Sequence, residues 1–119
     1  MLSKAVIESC KEKLLAVKFE LLNRVHSQFQ NLREREVGGD EADQATSMRN
    51  ETQIFFTQMR MRAQLFEIES ALGRIQAGTF GKCEETDEFI EPERLLAIPW
   101  TRLSMEGAEI REMAQLRGG

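Results

Sequence analysis

Two long stretches of this chain repeat apolar residues at helical spacing. In residues 3–36, Ile7, Cys10, Leu14, Val17, Leu21, Val25, Phe29 and Leu32 recur at steps of three and four. Lys11, Glu12, Lys13, Lys18, Glu20 and Arg24 fall between them, as on the solvated face of an amphipathic helix. In residues 43–77, Ile54, Met61, Leu65, Ile68, Leu72 and Ile75 trace a heptad-like seam, which Phe55, Met59 and Phe66 widen. Each helix would run roughly 50 Å at about 1.5 Å per residue, and neither can bury its stripe alone. Val37-Gly38-Gly39 is the obvious break between them, and no proline precedes Pro92. So short a link predicts antiparallel neighbours: a long helical hairpin, or two-stranded coiled coil, over 1–77 with its tip at 37–45. Gly73 interrupts the second helix at a cost of about 1 kcal/mol relative to alanine, which points to close packing there.

After residue 77 the pattern changes. Gly78-Thr79-Phe80-Gly81-Lys82-Cys83 is short, glycine-punctuated and β-like, and an acidic turn follows at 84–88. Pro92 suits the first turn of a short helix over 93–98, which Pro99 ends. Residues 100–116 read as a last helix with Trp100, Leu103, Ala108, Ile110 and Met113 as its apolar candidates. The expected organisation is a hairpin (1–77), a small module (78–99) and a C-terminal helix packing on it (100–119). The fold class is mainly α.

Composition narrows the function. Of 119 residues 30% are charged, the formal net charge is −4, and only 7% are aromatic. That balance suits long solvated helices and argues against tight binding to a phosphate backbone, so no direct DNA contact is expected. No apolar run reaches the roughly 18 residues of a membrane span, and the first residues lack the apolar core of a secretory signal. Two cysteines make no disulfide framework, so the cytoplasm is the expected compartment. His26 stands alone on a helix, Cys10 lies on the apolar seam, and no phosphate-cradling glycine loop occurs, so no catalytic constellation forms. Negative charge gathers in two places: residues 37–59 carry 1 basic and 4 acidic groups, and residues 78–99 carry 2 and 6. At the tip, Asp40 would cap the second helix, while Glu41 and Asp43 favour its positive N-terminal dipole. A capped tip is also a stiffer one, suited to carrying acids into a narrow channel.

The segments "ALGRIQAGTFGKC" (71–83) and "IEPERLLAIP" (90–99) resemble the DksA/TraR family of bacterial RNA polymerase regulators. There a helix runs into G-T-[FY]-G-x-C, and a zinc finger continues with I-x-x-x-R-L-x-A-x-P. Gly78, Thr79, Phe80, Gly81, Cys83, Ile90, Arg94, Leu95, Ala97 and Pro99 fall at family spacing. The family's tip motif, D-x-x-D-x-A, is matched by Asp40, Asp43 and Ala45, at the family's distance from Cys83. The resemblance covers nearly the whole chain, without the N-terminal extension of longer members. It implies a monomeric, non-enzymatic regulator that binds RNA polymerase through the secondary channel. The acidic tip would then lie near the active centre and alter open-complex stability, as in stringent-response control of ribosomal RNA promoters. Arg60 matches a basic family position and is a further candidate polymerase contact.

Two departures qualify that expectation. The family's four zinc-binding cysteines fall here on Cys83, Thr86, Ser104 and Gly107, and one thiolate does not make a structural zinc site. The module is expected to hold together without zinc, on Phe80, Phe89, Ile90, Leu95, Trp100 and Leu103, each burial worth about 1.5–3 kcal/mol. The chain thus resembles a zinc-independent branch of the family. The basic positions that hold guanosine tetraphosphate in longer members correspond to Glu67, Ile98 and Ala108, so binding in that pocket is not expected. Two rival readings are a transcript-cleavage factor using the same channel, with tip acids holding a metal, and a coiled-coil adaptor whose seam is purely structural.

Overall fold

The computed structural model describes residues 2–35 and 41–118, without the side chains at 29 and 31–48. Its elements are α1 (Lys4–Arg35), α2 (Glu41–Ala77), α3 (Pro92–Ala97) and α4 (Met105–Gly118). The mainly α class expected from periodicity is the one observed. Among the described residues the extended pairing is a single antiparallel bridge between Lys82 and Phe89. The Gly38-Gly39 break and Asp40 lie outside the described residues.

The chain divides into two compact units, Met1–Ala16 with Glu67–Gly119, and Val17–Phe66. Each joins one part of α1 to the part of α2 that an antiparallel hairpin would bring beside it. In the first unit, Ser3 caps α1: Val6 N–H donates to Ser3 Oγ at 3.2 Å, and Ile7 N–H to Ser3 O. Cys10 and Leu14 of α1, Ile68 and Ala71 of α2, and Leu95 of α3 are fully buried together with Ile90 and Cys83. The six-residue α3 is too short to persist alone. Its carbonyls are held from α1, where Lys13 Nζ donates to Leu96 O at 3.1 Å and Ala97 O at 3.0 Å, and Cys10 Sγ to Leu95 O at 3.5 Å. The second unit buries Leu21 and Met61, with Val17, Val25, Ile54 and Leu65 half-buried.

Several expectations are corrected here. The last helix begins at Met105, not at residue 100. Residues 101–104 run without helix, because Ser104 and Glu91 satisfy the first amides of α4 where it starts. Trp100 and Leu103 therefore lie outside it, and both are half-buried, whereas Ile110 and Met113 are exposed. In the module Phe80, Ile90 and Leu95 are buried as expected, but Phe89 is 49% exposed. Phe55, Met59 and Phe66 do not widen the seam: they are 59%, 53% and 65% exposed. Phe29 and Leu32, the last two seam positions on α1, have side chains outside the described residues.

Gly73 is not a close-packing position either. A Cβ there would meet nothing within 4 Å. It carries only the conformational cost of glycine in a helix, so Gly73→Ala should stabilise the protein by about 0.5–1 kcal/mol. A melting temperature raised by a few degrees is the expected outcome of a thermal scan followed by circular dichroism.

Candidate functional site

The module is built from the end of α2 outward. Gly78 takes φ +80° just past the helix, with Gly78 N–H bonded to Ile75 O at 3.2 Å and Thr79 N–H to Arg74 O at 2.9 Å. This paired closure ends a helix on a left-handed glycine. Gly81, at φ +92°, lies where a Cβ would fall against the Leu2 side chain. The strand-like passage closes through Ile90 N–H to Gly81 O (2.7 Å) and Cys83 N–H to Glu88 O (2.8 Å). Its turn is completed by Asp87 at φ 61°, a conformation aspartate tolerates better than most residues. This places Cys83 inward, 1% exposed, facing the start of α4.

All four finger positions meet at that sulfur. Ser104 Oγ donates to Cys83 Sγ at 3.4 Å and accepts from Gly107 N–H at 3.0 Å. Ser104 is thus the N-cap of α4, and Glu91 Oε2 accepts from Met105 N–H at 3.1 Å. A Cβ at position 107 would fall against Cys83 Sγ and within 3.3 Å of Ser104 Oγ. Burial pushes the Cys83 thiol up, but hydrogen bonds from the Ser104 and Thr86 side chains and from their backbones outweigh it and bring it down to about 6. These hydrogen bonds favour the ionised form of the sulfur. Cys10 is the opposite case: burial raises its thiol against the pull of Lys13, and it remains protonated to donate to Leu95 O.

An ion-pair chain flanks the sulfur. Arg102 Nε donates to Glu67 Oε2 at 2.8 Å and Arg102 Nη1 to Glu84 Oε1 at 2.9 Å. Arg111 reaches Glu84 at 3.7 Å and Glu85 at 3.1 Å. The bond from Arg102 holds Glu84 below the usual carboxylate range. Arg74 has Nη2 buried without a hydrogen-bond partner, and burial first, then the nearby Arg102 charge, lowers its affinity for the proton. The Arg102 chain joins partners 35 and 18 residues away, which no local sequence signal marks. Of the positions compared with the alarmone pocket, Glu67 is engaged by Arg102, Ile98 lies exposed after α3, and Ala108 is half-buried in the first turn of α4.

The other candidates are placed as follows. Asp43 and Ala45 fall in the first turns of α2, with side chains outside the described residues. Arg60 is exposed on α2, its Nη2 3.4 Å from Thr57 Oγ1. The structure brings Cys83, Thr86, Ser104 and Gly107 together.

The donor set does not fit a tetrahedral zinc ion, which takes four good ligands: one position has no side chain, two offer neutral hydroxyls, and one offers a thiolate. Among the described residues no group of three or more His, Cys, Asp or Glu is placed to hold a metal.

Two predictions follow from the sulfur's surroundings. Gly107→Ala should destabilise the protein by about 1–3 kcal/mol, because the added methyl displaces the sulfur or the Ser104 hydroxyl; equilibrium urea unfolding reads this directly. The second concerns pH. A thiol at about 6 in the fold and near its ordinary value when unfolded leaves the unfolded chain holding the extra proton in between. Stability relative to Cys83→Ser should therefore rise from about pH 6 to about pH 8.5, and be lost as pH falls through about 6. Paired thermal melts across that range, with the thiolate followed by ultraviolet absorbance, check both sign and midpoint.

Comparison with known proteins matches the module and the fold. The prokaryotic dksA/traR C4-type zinc finger family matches residues 78–112. The RNA polymerase-binding transcription factor DksA of Caulobacter vibrioides (strain NA1000 / CB15N) is 37% identical over 107 residues, 89% of this chain and 75% of that protein. An uncharacterized protein of Aquifex aeolicus (strain VF5) is 34% identical over 115 residues, 91% of this chain and 77% of that protein. The structure of transcription factor DksA2 from Pseudomonas aeruginosa matches with TM-score 0.88 at 32% identity, over 95% of this chain and 88% of that one. By identity along most of its length, by its finger segment and by its fold, the chain belongs to the DksA/TraR family, in which the Caulobacter vibrioides and Pseudomonas aeruginosa relatives are named transcription factors and not enzymes.

Proposed function

We propose that this protein regulates transcription by binding RNA polymerase through the secondary channel. There it places Asp40 and Asp43 near the active centre and changes the stability of open promoter complexes, without touching DNA. The observation that carries this reading is the match to an RNA polymerase-binding factor over 89% of the chain. Within that span, the D-x-x-D-x-A motif at 40–45 and the module motif at 78–99 keep the family's mutual register. A regulator acts only through differential binding to two states, so the tip acids must contact the closed and open complexes differently. Promoters with short-lived open complexes, such as those of ribosomal RNA, would be inhibited most.

On this reading the protein works as a cytoplasmic monomer and its module needs no zinc. The convergence of Thr86, Ser104 and Gly107 on a single buried sulfur supports that. Such a protein keeps its fold where zinc is scarce, conditions that disable a four-cysteine relative. The engagement of Glu67 by Arg102 supports the view that guanosine tetraphosphate does not use the family's usual pocket.

The test is the half-life of open complexes at a ribosomal RNA promoter with purified bacterial RNA polymerase. Wild type should shorten it, and Asp43→Asn should bind polymerase yet leave it nearly unchanged. A wild type that neither binds nor shortens the half-life would overturn the proposal in favour of a structural adaptor, and polymerase-dependent RNA cleavage would favour the cleavage factor. Metal analysis of the purified protein and melts with and without chelator should show neither stoichiometric zinc nor a chelator-induced drop.

A further inference from the structure

We infer that α4 pairs antiparallel with α4 of a second copy of this chain, along a stripe made of Glu106, Ile110, Met113 and Arg117. The pairing stands on α4 alone and is independent of the polymerase reading above.

Little of α4 is covered by the module. Gly107 is buried, Ala108 and Arg111 are half-buried, and Arg111 is tied to Glu84 and Glu85. Every other residue from Met105 to Gly118 is exposed, among them Ile110 at 43%, Met113 at 52% and Leu116 at 78%. At about 100° per residue, Glu106, Ile110, Met113 and Arg117 fall within about 60° around the helix. The side held by Gly107, Ala108 and Arg111 is centred more than a third of a turn away. An open groove follows the stripe, lined by its four residues together with Glu109 and Ala114.

The order of residues on the stripe is self-complementary. Acid, apolar, apolar and base follow at steps of four, three and four, the spacing of a coiled-coil seam. That spacing is symmetric about the midpoint between Ile110 and Met113, and the charge changes sign across it. An antiparallel copy therefore sets Glu106 opposite the partner's Arg117 and Ile110 opposite the partner's Met113. Two-fold symmetry repeats both contacts, so two ion pairs flank an apolar centre. A parallel copy would set each charge against its own counterpart, which is costly. The five charges within 105–118 are all accounted for. Glu106 and Arg117 lie on the stripe, and Glu109 lies on its flank, on the same side as Leu116. Glu112 is more than a third of a turn off, and Arg111 belongs to the module's ion pairs.

Other occupants fit less well. The exposed charges of α4 are Glu106, Glu109 and Glu112 against Arg117, so a phosphate backbone or an anionic membrane is repelled. An unrelated protein surface has no need of a stripe that complements itself. The seam is only about 20 Å long, and a helix pair of that length buries less than the roughly 1,200 Å² of stable complexes. The pairing is therefore weak and reversible, and the monomer prevails in dilute solution.

The experiment is sedimentation equilibrium of the full-length protein from about 10 μM to about 1 mM. The mass of wild type should rise with concentration toward that of a dimer. Glu106→Arg and Arg117→Glu, each checked for retained helix and melting temperature by circular dichroism, should each weaken association about tenfold, because one substitution alters both symmetry-related pairs. An equimolar mixture of the two single variants, and the double variant Glu106→Arg with Arg117→Glu, should each restore it. Met113→Gln should weaken association without rescue by either charge reversal. Wild type that stays monomeric throughout overturns the proposal, as does association that both single reversals leave unchanged. Wild type that stays monomeric while Met113→Gln weakens binding to purified bacterial RNA polymerase overturns it in favour of a polymerase contact.

Discussion

The Ser104 hydroxyl holds the small module closed. It donates to Cys83 Sγ and accepts from the Gly107 amide, so one group fixes the sulfur and also starts α4. In a four-thiolate finger a metal ion would tie the same four positions. Here the tie is made of hydrogen bonds that converge on the Cys83 sulfur and favour its ionised form. Each replaced position meets a separate demand. Position 104 needs a donor that is also a helix cap, position 86 needs a second donor, and position 107 needs room for the sulfur, which only glycine leaves. The three residues form a mutually consistent set around the one sulfur, leaving it hydrogen-bonded where it is buried.

The remaining cohesion of this unit comes from α1 and α2. Leu14, Ile68 and Leu95 are 0% exposed and Cys10 1%, so each of three helices contributes a fully buried side chain. Lys13 adds what burial cannot. Its ammonium meets the last carbonyls of α3, where the helix carries partial negative charge. The two cysteines divide the labour according to their surroundings. Cys10, raised by burial, donates to Leu95 O; Cys83, lowered by the hydroxyls and amides around it, accepts from Ser104 Oγ.

What the sequence made legible is what local rules govern. The ends of α2 and α3 fall within a residue or two of expectation, because a left-handed glycine and a first-turn proline act through their own backbone. The four finger positions are legible only through the family resemblance, and the structure gathers them at one sulfur. The start of α4 was missed by five residues. Trp100 and Leu103 continued the apolar pattern, but Ser104 offered a cap that the pattern ignored. Phe55, Met59 and Phe66 were assigned to the seam because hydrophobicity was taken to mean burial, yet a helix face of that width exceeds what one partner helix can cover. Arg102 carried no signal at all, since its partners are brought to it only by the folded module.

Charge summed by segment also misstates the surface. Residues 78–99 looked like a pole of negative charge, with 6 acids against 2 bases. In the fold Glu84 and Glu85 face Arg102 and Arg111 from the following segment, and Glu91 accepts an amide of α4. Part of that charge is therefore spent inside the module, and it stabilises mainly by fixing geometry, since pairs this exposed contribute little energy. Glu67 belongs to the same ion-pair chain although it lies on α2, engaged by Arg102 from the module. The local field follows from which charges neighbour one another in the fold, and segment totals do not reveal it.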